Sequence, residues 1–170
     1  MNSAAPHADG DEPIDTRRPV DRLLGNYSED HRNPTNQLIH RICVPAIVWS
    51  VTALLFVIPV PAILGRPGLF AAMAAALAIG YYFRLSRVLA LVMFGALVAM
   101  LALDWWVYDT YGVATLLWLG VGVFVVAWIA QFIGHELEGK RPSFLTDLVY
   151  LLVGPLWVWA KLLRKLGVAY

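Results

Sequence analysis

Long apolar runs separated by short polar segments dominate the chain. Residues 42–64 form the first run, about 23 positions without a charged side chain. Residues 113–134 form another uncharged run of about 22 positions. A helix of about 20 apolar residues crosses a hydrocarbon core about 30 Å thick. The pattern therefore predicts a membrane-spanning helix in each of these two segments.

Two shorter apolar runs, residues 69–83 and 88–103, lie on either side of Arg84 and Arg87. They could form one long helix or two spans joined by a tight turn. Two spans are favoured, because holding both arginines at mid-membrane would cost several kcal/mol. Together with the two long runs, this interpretation predicts four spans.

A segment of mixed acidic and aromatic residues, 104–112, separates the third run from the fourth. Tryptophan and tyrosine are enriched where a helix meets the membrane surface, so a loop is expected here. Asp104 and Asp109 are expected to cap or solvate that loop rather than to act in catalysis.

Basic residues are distributed unevenly between the two sides of such a four-span bundle. Of the 13 lysines and arginines, five precede residue 42, two lie in the turn at 84–87 and five follow residue 134. Only Arg66 falls on the other side. The positive-inside rule then predicts that both termini are cytoplasmic. Arginine outnumbers lysine ten to three, which fits a GC-rich bacterial genome, so the bacterial inner membrane is the expected location.

The two ends of the chain differ from the spans. Residues 148–160 are too short, and too interrupted by a Gly-Pro pair, to cross the bilayer. They predict an interfacial or re-entrant helix with Trp157 and Trp159 at headgroup level. Residues 1–20 are rich in Pro, Asp, Gly and Ala, and a disordered tail is expected there. The expected fold is an all-α integral membrane protein, with four transmembrane helices plus this C-terminal helix in one catalytic domain over residues 21–170.

Composition supports a membrane protein and excludes several other classes. Hydrophobic residues make up 59% of the chain and charged residues 15%, and the net charge is +1. Without a basic excess, nucleic-acid binding is not expected. A single cysteine, Cys43, excludes an internal disulfide and any multi-cysteine metal site. The N-terminal region lacks the apolar core of a signal peptide, so the amino terminus is expected to be retained.

The first polar cluster, HRNPTNQLIH, contains His31 and His40. Pro34 suits the first turn of a helix and Asn33 suits its N-cap, so a helix is expected to begin here. His40 is then helical, with Asn36 one turn before it on the same face. His31 precedes the cap and can fold back towards His40. The alternative is that both histidines are ordinary polar residues at a membrane surface.

The second polar cluster, in QFIGHELEGKRPS, continues the fourth span past the membrane surface. Gln131, His135 and Glu138 fall at positions i, i+4 and i+7, so they share one stripe of a helix. Gln131 lies within the apolar span, where a polar group without a partner is costly. A histidine and a carboxylate three residues apart are a workable pair of metal ligands in helical bundles. The alternative is that this segment is only a solvated helix end.

The two clusters together suggest a metal site, because four spans bring them to the same membrane face. Three imidazoles and a carboxylate with open coordination positions suit Fe(II), Mn(II) or Zn(II). Only the neutral imidazole ligates a metal, so metal affinity is expected to fall below about pH 6. These residue types alone do not choose among the three metals.

Two segments resemble the signature regions of a family of small membrane proteins whose characterised fungal members are Fe(II)-dependent 2-hydroxy fatty acid dioxygenases. The segments are HRNPTNQLIHRICVPAIVW, with its His-x4-Asn-x3-His spacing, and QFIGHELEGKRPSFLTDLVYLLVGPLWV, with Gln-x2-Gly-His followed by Glu and Pro. The resemblance covers residues 27–166. It implies that O2 is used to shorten a long-chain 2-hydroxy fatty acid by one carbon, the α-oxidation step of phytosphingosine breakdown.

The resemblance also implies roles for particular residues. The implied metal ligands are the three histidines, His31, His40 and His135. The implied accessory groups are Asn36, Gln131 and Glu138, and the spacing of Glu138 to His135 keeps it as a candidate fourth metal ligand. The candidate charge partners for the substrate carboxylate are the arginines next to the clusters: Arg32, Arg41 and Arg141.

A long-chain acid lies in the bilayer with its carboxylate at the interface, which is the depth at which both clusters fall. The small residues at 71–80 are expected to serve close helix packing more than to border a groove for the alkyl tail. Two other function classes stay open. One is a haem protein with His40 and His135 as axial ligands. The other is a non-enzymatic structural or transport protein, although its spans would contain few polar residues.

Overall fold

The computed structural model describes residues 17–139 and 144–170 of the chain. This part of the chain forms six helices and no strand: α1 (Pro19–Glu29), α2 (Pro34–Phe56), α3 (Leu69–Leu85), α4 (Arg87–Tyr111), α5 (Val113–Glu138) and α6 (Phe144–Lys165). The predicted all-α class is confirmed. Arg141 and residues 1–16 of the predicted tail lie outside the described residues.

Helix α2 contains the first part of the first apolar run, but it begins and ends earlier than the run does. Asn33 is the predicted N-cap, since its Oδ1 accepts hydrogen bonds from the backbone N–H groups of Thr35 and Asn36 at 2.9 and 3.3 Å. The prediction that the span continues to residue 64 is wrong, because the helix ends at Phe56 and a Pro-Val-Pro sequence follows. Proline lacks the N–H group that a continuing helix needs.

A sharp break separates α3 from α4, as predicted for the two runs around the arginines. Ser86 is extended, and its Oγ accepts a hydrogen bond from Leu89 N at 3.3 Å, which caps α4. The loop predicted for residues 104–112 is wrong, because α4 continues without proline or glycine until Gly112, where φ is 85°. Asp104 accordingly lies inside a helix and is fully buried, so it neither caps nor solvates a loop.

Helices α2 to α5 alternate in direction. The end of α2 meets the start of α3, where Gly68 N donates to Phe56 O at 3.2 Å, and Phe56 also packs against Tyr108 near the end of α4. At the other end of the bundle, Asn36 near the start of α2 lies beside Gly134 near the end of α5. We call this second end the histidine end, and the end that holds Phe56 and Tyr108 the far end.

Three of the described helices, α2, α4 and α5, are long and apolar enough to cross a membrane. Helix α3 is also apolar but has 17 residues. At 1.5 Å per residue it is about 25 Å long, a few ångströms less than a hydrocarbon core of about 30 Å. The described part of the chain therefore has the helices of a membrane protein.

Helices α1 and α6 pack against each other beside the histidine end. The hydrophobic pattern does not predict α1, which begins at Pro19, inside the expected tail, and buries one narrow face. Helix α6 is longer than the run at 148–160 that predicts it. Trp157 is buried rather than placed at a headgroup surface, and its Nε1 donates to Ser28 Oγ of α1 at 2.8 Å. The two helices thus form one side wall of the histidine end.

Candidate metal centre

Three histidines converge at the histidine end from three different elements. His31 lies between α1 and α2, His40 in the second turn of α2, and His135 in the last turn of α5. Each offers one ring nitrogen, and these three atoms lie within 4.8 Å of one another. His31 and His40 are each 2% exposed, and His135 is partly exposed. The structure thus brings together the three histidines that the sequence singles out.

Backbone carbonyl groups fix the ring orientation of two of these histidines. His31 Nδ1 lies 2.7 Å from the carbonyl oxygen of Tyr27, and His40 Nδ1 lies 3.0 Å from that of Asn36. A carbonyl oxygen only accepts, so each Nδ1 carries the hydrogen and each Nε2 keeps a free lone pair. His31 Nε2 is buried and has no hydrogen-bond partner among the described residues. A buried nitrogen held in this way fits a metal ligand.

The surroundings of His31 favour its neutral form. Burial lowers the pKa of the His31 imidazole below its ordinary value, although the hydrogen bond to the Tyr27 carbonyl opposes this, and the nearby His135 lowers the pKa further. The Tyr27 ring stacks on the imidazole, with 4.2 Å between centroids and 11° between planes. Since only the neutral ring ligates a metal, His31 is in its ligating form at neutral pH.

Glu138 lies outside the group of ring nitrogens. Its carboxylate accepts hydrogen bonds from Arg32 N at 2.7 Å, from Asn33 N at 2.9 Å and from Asn36 Nδ2 at 2.9 Å. These bonds join the end of α5 to the segment that connects His31 to α2. In this arrangement Glu138 holds the backbone that carries His31, and the cluster of potential ligands consists of the three histidines.

The two predicted accessory amides lie in the contact between α2 and α5. Asn36 is fully buried, and its side chain is held by Glu138. Gly134 lies directly against it, since a Cβ at that position would overlap Asn36 Oδ1. Gln131 is also buried and lines the same pocket as the three histidines. Both amides therefore lie beside the three-histidine cluster.

The histidines line a cavity of about 40 Å³. The rest of its wall comes from α1, α2, α5 and α6: Tyr27, Val44, Ile47, Trp128, Gln131, Tyr150 and Leu151. A water molecule needs about 10–15 Å³, so the cavity has room for an ion and a few small groups. The ring centroids of His40 and His135 are only 5.1 Å apart, and His31 lies beside both. A porphyrin does not fit between them, so the geometry does not support the haem interpretation.

Lys161 is a charged residue near the site that the sequence did not suggest. Arg32 and Arg41 are exposed, and the Arg41 guanidinium donates to Gln37 Oε1 at 3.3 Å. Lys161 Nζ of α6 donates to the same oxygen at 2.8 Å, and Gln37 Nε2 donates to His31 O at 2.8 Å. The i, i+4 spacing of Gln37 and Arg41 could have predicted their contact from the sequence. The contact with Lys161 could not be predicted in this way, because Lys161 is 124 residues from Gln37.

The chain is similar to known proteins over nearly its whole length. Residues 18–166 match the family model described as 2-hydroxy-palmitic acid dioxygenase Mpo1-like. The chain belongs to the Mpo1-like family. It is 31% identical over 148 residues to 2-hydroxy-palmitic acid dioxygenase MPO1 of Saccharomyces cerevisiae, an alignment that covers 85% of this chain and 79% of the yeast protein. No solved structure matches the chain.

Both polar clusters fall inside the Mpo1-like match, and so do all six helices. The family resemblance inferred from the two signature segments is therefore confirmed. Membership of the Mpo1-like family, with a relative named as a dioxygenase, supports an oxidoreductase of lipid metabolism. The three-histidine cluster adds a place where such an enzyme could hold a metal ion.

Proposed function

We propose that this chain is an Fe(II)-dependent dioxygenase that shortens long-chain 2-hydroxy fatty acids by one carbon, the α-oxidation reaction. The observation that carries the proposal is the set of three imidazole nitrogens within 4.8 Å of one another. The name of the yeast relative supports the substrate class. In the proposed reaction the 2-hydroxy acid and one O2 give the shorter acid, CO2 and water.

In this proposal His31, His40 and His135 hold the metal. Three neutral nitrogens leave further coordination positions open for substrate and O2, as in other non-haem iron oxygenases. The bound Fe(II) supplies the oxygen chemistry that amino-acid side chains lack. The carbonyl groups of Tyr27 and Asn36 keep two of the rings pointed at the ion.

The carboxylate of the substrate meets positive charge around the site. Arg32, Arg41 and Arg141 are the proposed charge partners, and Lys161 joins them through its bond to Gln37. Burial lowers the pKa of the Lys161 ammonium, and the nearby Arg41 and Arg164 lower it further. An incoming carboxylate offsets this repulsion, which favours anion binding at this position.

We further propose that α3 crosses the membrane together with α2, α4 and α5, with both termini and the metal centre on the cytoplasmic side of a bacterial inner membrane. The alternating helix directions and the placement of the basic residues support this arrangement. The packing of all six helices supports one catalytic domain over residues 21–170.

Cysteine labelling in intact cells tests this topology. In a Cys43→Ser background, an impermeant maleimide is expected to label Arg66→Cys without lysis and Ser86→Cys only after lysis. The opposite pattern would contradict the proposed orientation, and labelling of both positions in intact cells would contradict the crossing by α3.

Metal analysis combined with an oxygen electrode tests the function. Purified protein is expected to carry about one iron per chain, because the chain offers one three-histidine cluster among its described residues. With 2-hydroxypalmitate it should consume one O2 for each pentadecanoic acid formed, whereas palmitate, which lacks the hydroxyl group, is the control that should not react. Iron-loaded, folded protein that leaves 2-hydroxy acids of several lengths untouched would exclude the proposal.

A further inference from the structure

A second cavity, of about 120 Å³, lies between α2, α3 and α6, farther along the bundle than the histidine pocket. Its walls are mostly aliphatic side chains: Val48, Val51, Leu55, Ala75, Ala78 and Leu152. Its two polar side chains are already bonded elsewhere, since Thr52 Oγ1 donates to Trp49 O at 2.8 Å and Tyr82 OH donates to Leu152 O at 3.0 Å. The cavity therefore suits an apolar occupant.

This aliphatic cavity adjoins the histidine pocket. Leu151 of α6 lines both of them. On α2, Val44 and Ile47 face the histidine pocket, and Val48 and Val51 face the cavity. A molecule whose polar end reaches the histidines would pass Leu151 and continue along α2. The unpartnered, buried Nε2 of His31 marks the polar end of this path.

The α2 segment that lines the two pockets is about as long as an acyl chain of a membrane lipid. From His40 to Leu55, α2 advances fifteen residues, about 22 Å at 1.5 Å per residue. Half of a hydrocarbon core of about 30 Å, the depth of one leaflet, is about 15 Å. The residues that line the two pockets therefore extend along α2 over a distance that matches an acyl chain filling one leaflet.

Helix α3 contributes three alanines to the wall of the cavity. Ala75 and Ala78 are half-buried, and Ala74, which also lines the cavity, is exposed on the outer side of α3. Because α3 runs antiparallel to α2, Ala78 lies nearer the histidine end and Ala74 about 6 Å nearer the far end. We propose that this cavity binds the alkyl tail of the substrate acid, and that the α3 alanines and Leu55 set its chain length.

The inference rests on the proposed dioxygenase function and adds the site of chain-length selection. A larger apolar groove between α2 and α5, of about 300 Å³, provides a matched control. It is lined by Ala46, Gly122 and Ala130 among others and shares no lining residue with the histidine pocket. A substitution there changes the volume of an apolar helix contact without touching the proposed tail path.

The experiment compares three leucine variants of the full-length, iron-loaded protein: Ala78→Leu, Ala74→Leu and the control Ala130→Leu. The readout is the ratio of kcat/KM for 2-hydroxypalmitate to that for 2-hydroxyoctanoate. Ala78→Leu should lower the ratio by about 10-fold or more, because lost methylene contacts are discriminated at about this level. Ala74→Leu should lower it less, since it blocks a more distant part of the path, and Ala130→Leu should leave it unchanged.

The outcomes separate this inference from the function on which it rests. Wild-type protein that is inactive on both acids contradicts the dioxygenase function. Active wild-type protein, with the same ratio in all three variants, contradicts the tail site alone. If Ala78→Leu loses iron, its ratio does not report on the tail site, and the Leu55→Ala variant tests the inference instead. It should raise the relative rate on 2-hydroxybehenate over 2-hydroxypalmitate, and an unchanged preference would overturn the inference.

Discussion

The contact between α2 and α5 differs between its two ends. At the far end it is apolar: Gly120 of α5 lies against Ala53 and Leu54, and a Cβ on it would come within 3.3 Å of Ala53 Cβ. At the histidine end it is polar, because Gly134 lies against the Asn36 amide, which Glu138 holds. Glycine permits close approach at both ends. Only at the histidine end does the close approach lie beside a cluster of potential metal ligands.

Both ends also bury polar groups, and comparing them shows what makes a site. Asp104, near the far end, is fully buried and faces Trp49 and Thr52, yet neither of its oxygens makes a well-formed hydrogen bond within the described part of the chain. No cluster of histidine, cysteine or carboxylate ligands forms around it among those residues. At the histidine end, three elements bring nitrogen atoms together and backbone carbonyls orient two of them. Convergence of oriented groups, and not burial alone, identifies the candidate site.

The strongest test of this contrast is to remove a proposed ligand at the histidine end. We expect His40→Ala to bind iron at least about 100-fold more weakly. Removing a residue that only hydrogen-bonds to a metal ligand already lowers metal affinity by about 10- to 100-fold. Oxygen consumption with 2-hydroxypalmitate should fall to background. Metal analysis and an oxygen electrode measure the two effects, with Asp104→Asn as the matched change at a buried position outside the cluster. Equal iron content in His40→Ala and wild type would remove His40 from the ligand set.

A smaller effect is expected from Glu138→Gln, which keeps the shape of the side chain. The backbone N–H groups of Arg32 and Asn33 would then face an uncharged amide in place of a carboxylate. Because Glu138 acts through the segment that carries His31, we expect iron affinity to fall about 10- to 100-fold. Iron titration measures the loss, and activity should return at saturating iron. If activity stays absent when the site is full of iron, Glu138 has a direct part in the chemistry.

A third change tests how closely the helices must approach. Gly134→Ala adds a methyl group onto Asn36 Oδ1, whereas Gly122→Ala on the same helix meets nothing within 4 Å. Overpacking of this kind costs about 1–3 kcal/mol, so Gly134→Ala should unfold at a lower temperature. Gly122→Ala should gain up to about 1 kcal/mol from helix propensity. Equal unfolding temperatures for the two variants would mean that the histidine end tolerates a wider α2–α5 spacing.

The sequence predicted the features that depend on neighbouring residues. The Asn33 cap and the break at Ser86 follow from local backbone chemistry, and the histidine clusters follow from residue types at short spacing. Features that depend on distant partners were missed or misplaced. Glu138 lies 105 residues from the Asn33 backbone that it holds, and α1 is too polar to resemble a packed helix until α6 covers it. Spacing along one helix correctly put Glu138 near His135, but it could not show which partner the carboxylate would reach.

The smallest effect at the metal centre is expected from Asp104→Asn, which tests the far end. Asparagine keeps an oxygen towards Trp49 and Thr52 but removes a carboxylate that has no well-formed hydrogen bond. Replacing a buried, unpaired carboxylate with a neutral amide removes the cost of desolvating a charge, an effect of about 1–3 kcal/mol, and 1 kcal/mol shifts the unfolding midpoint of a chain of this size by about 2–4 °C. We therefore expect thermal unfolding to move upward while iron content and turnover stay at wild-type values. A lower midpoint would show that the carboxylate contributes to stability. A loss of iron would show that the two ends of the bundle are coupled, because Asp104 and the histidines occupy opposite ends of it.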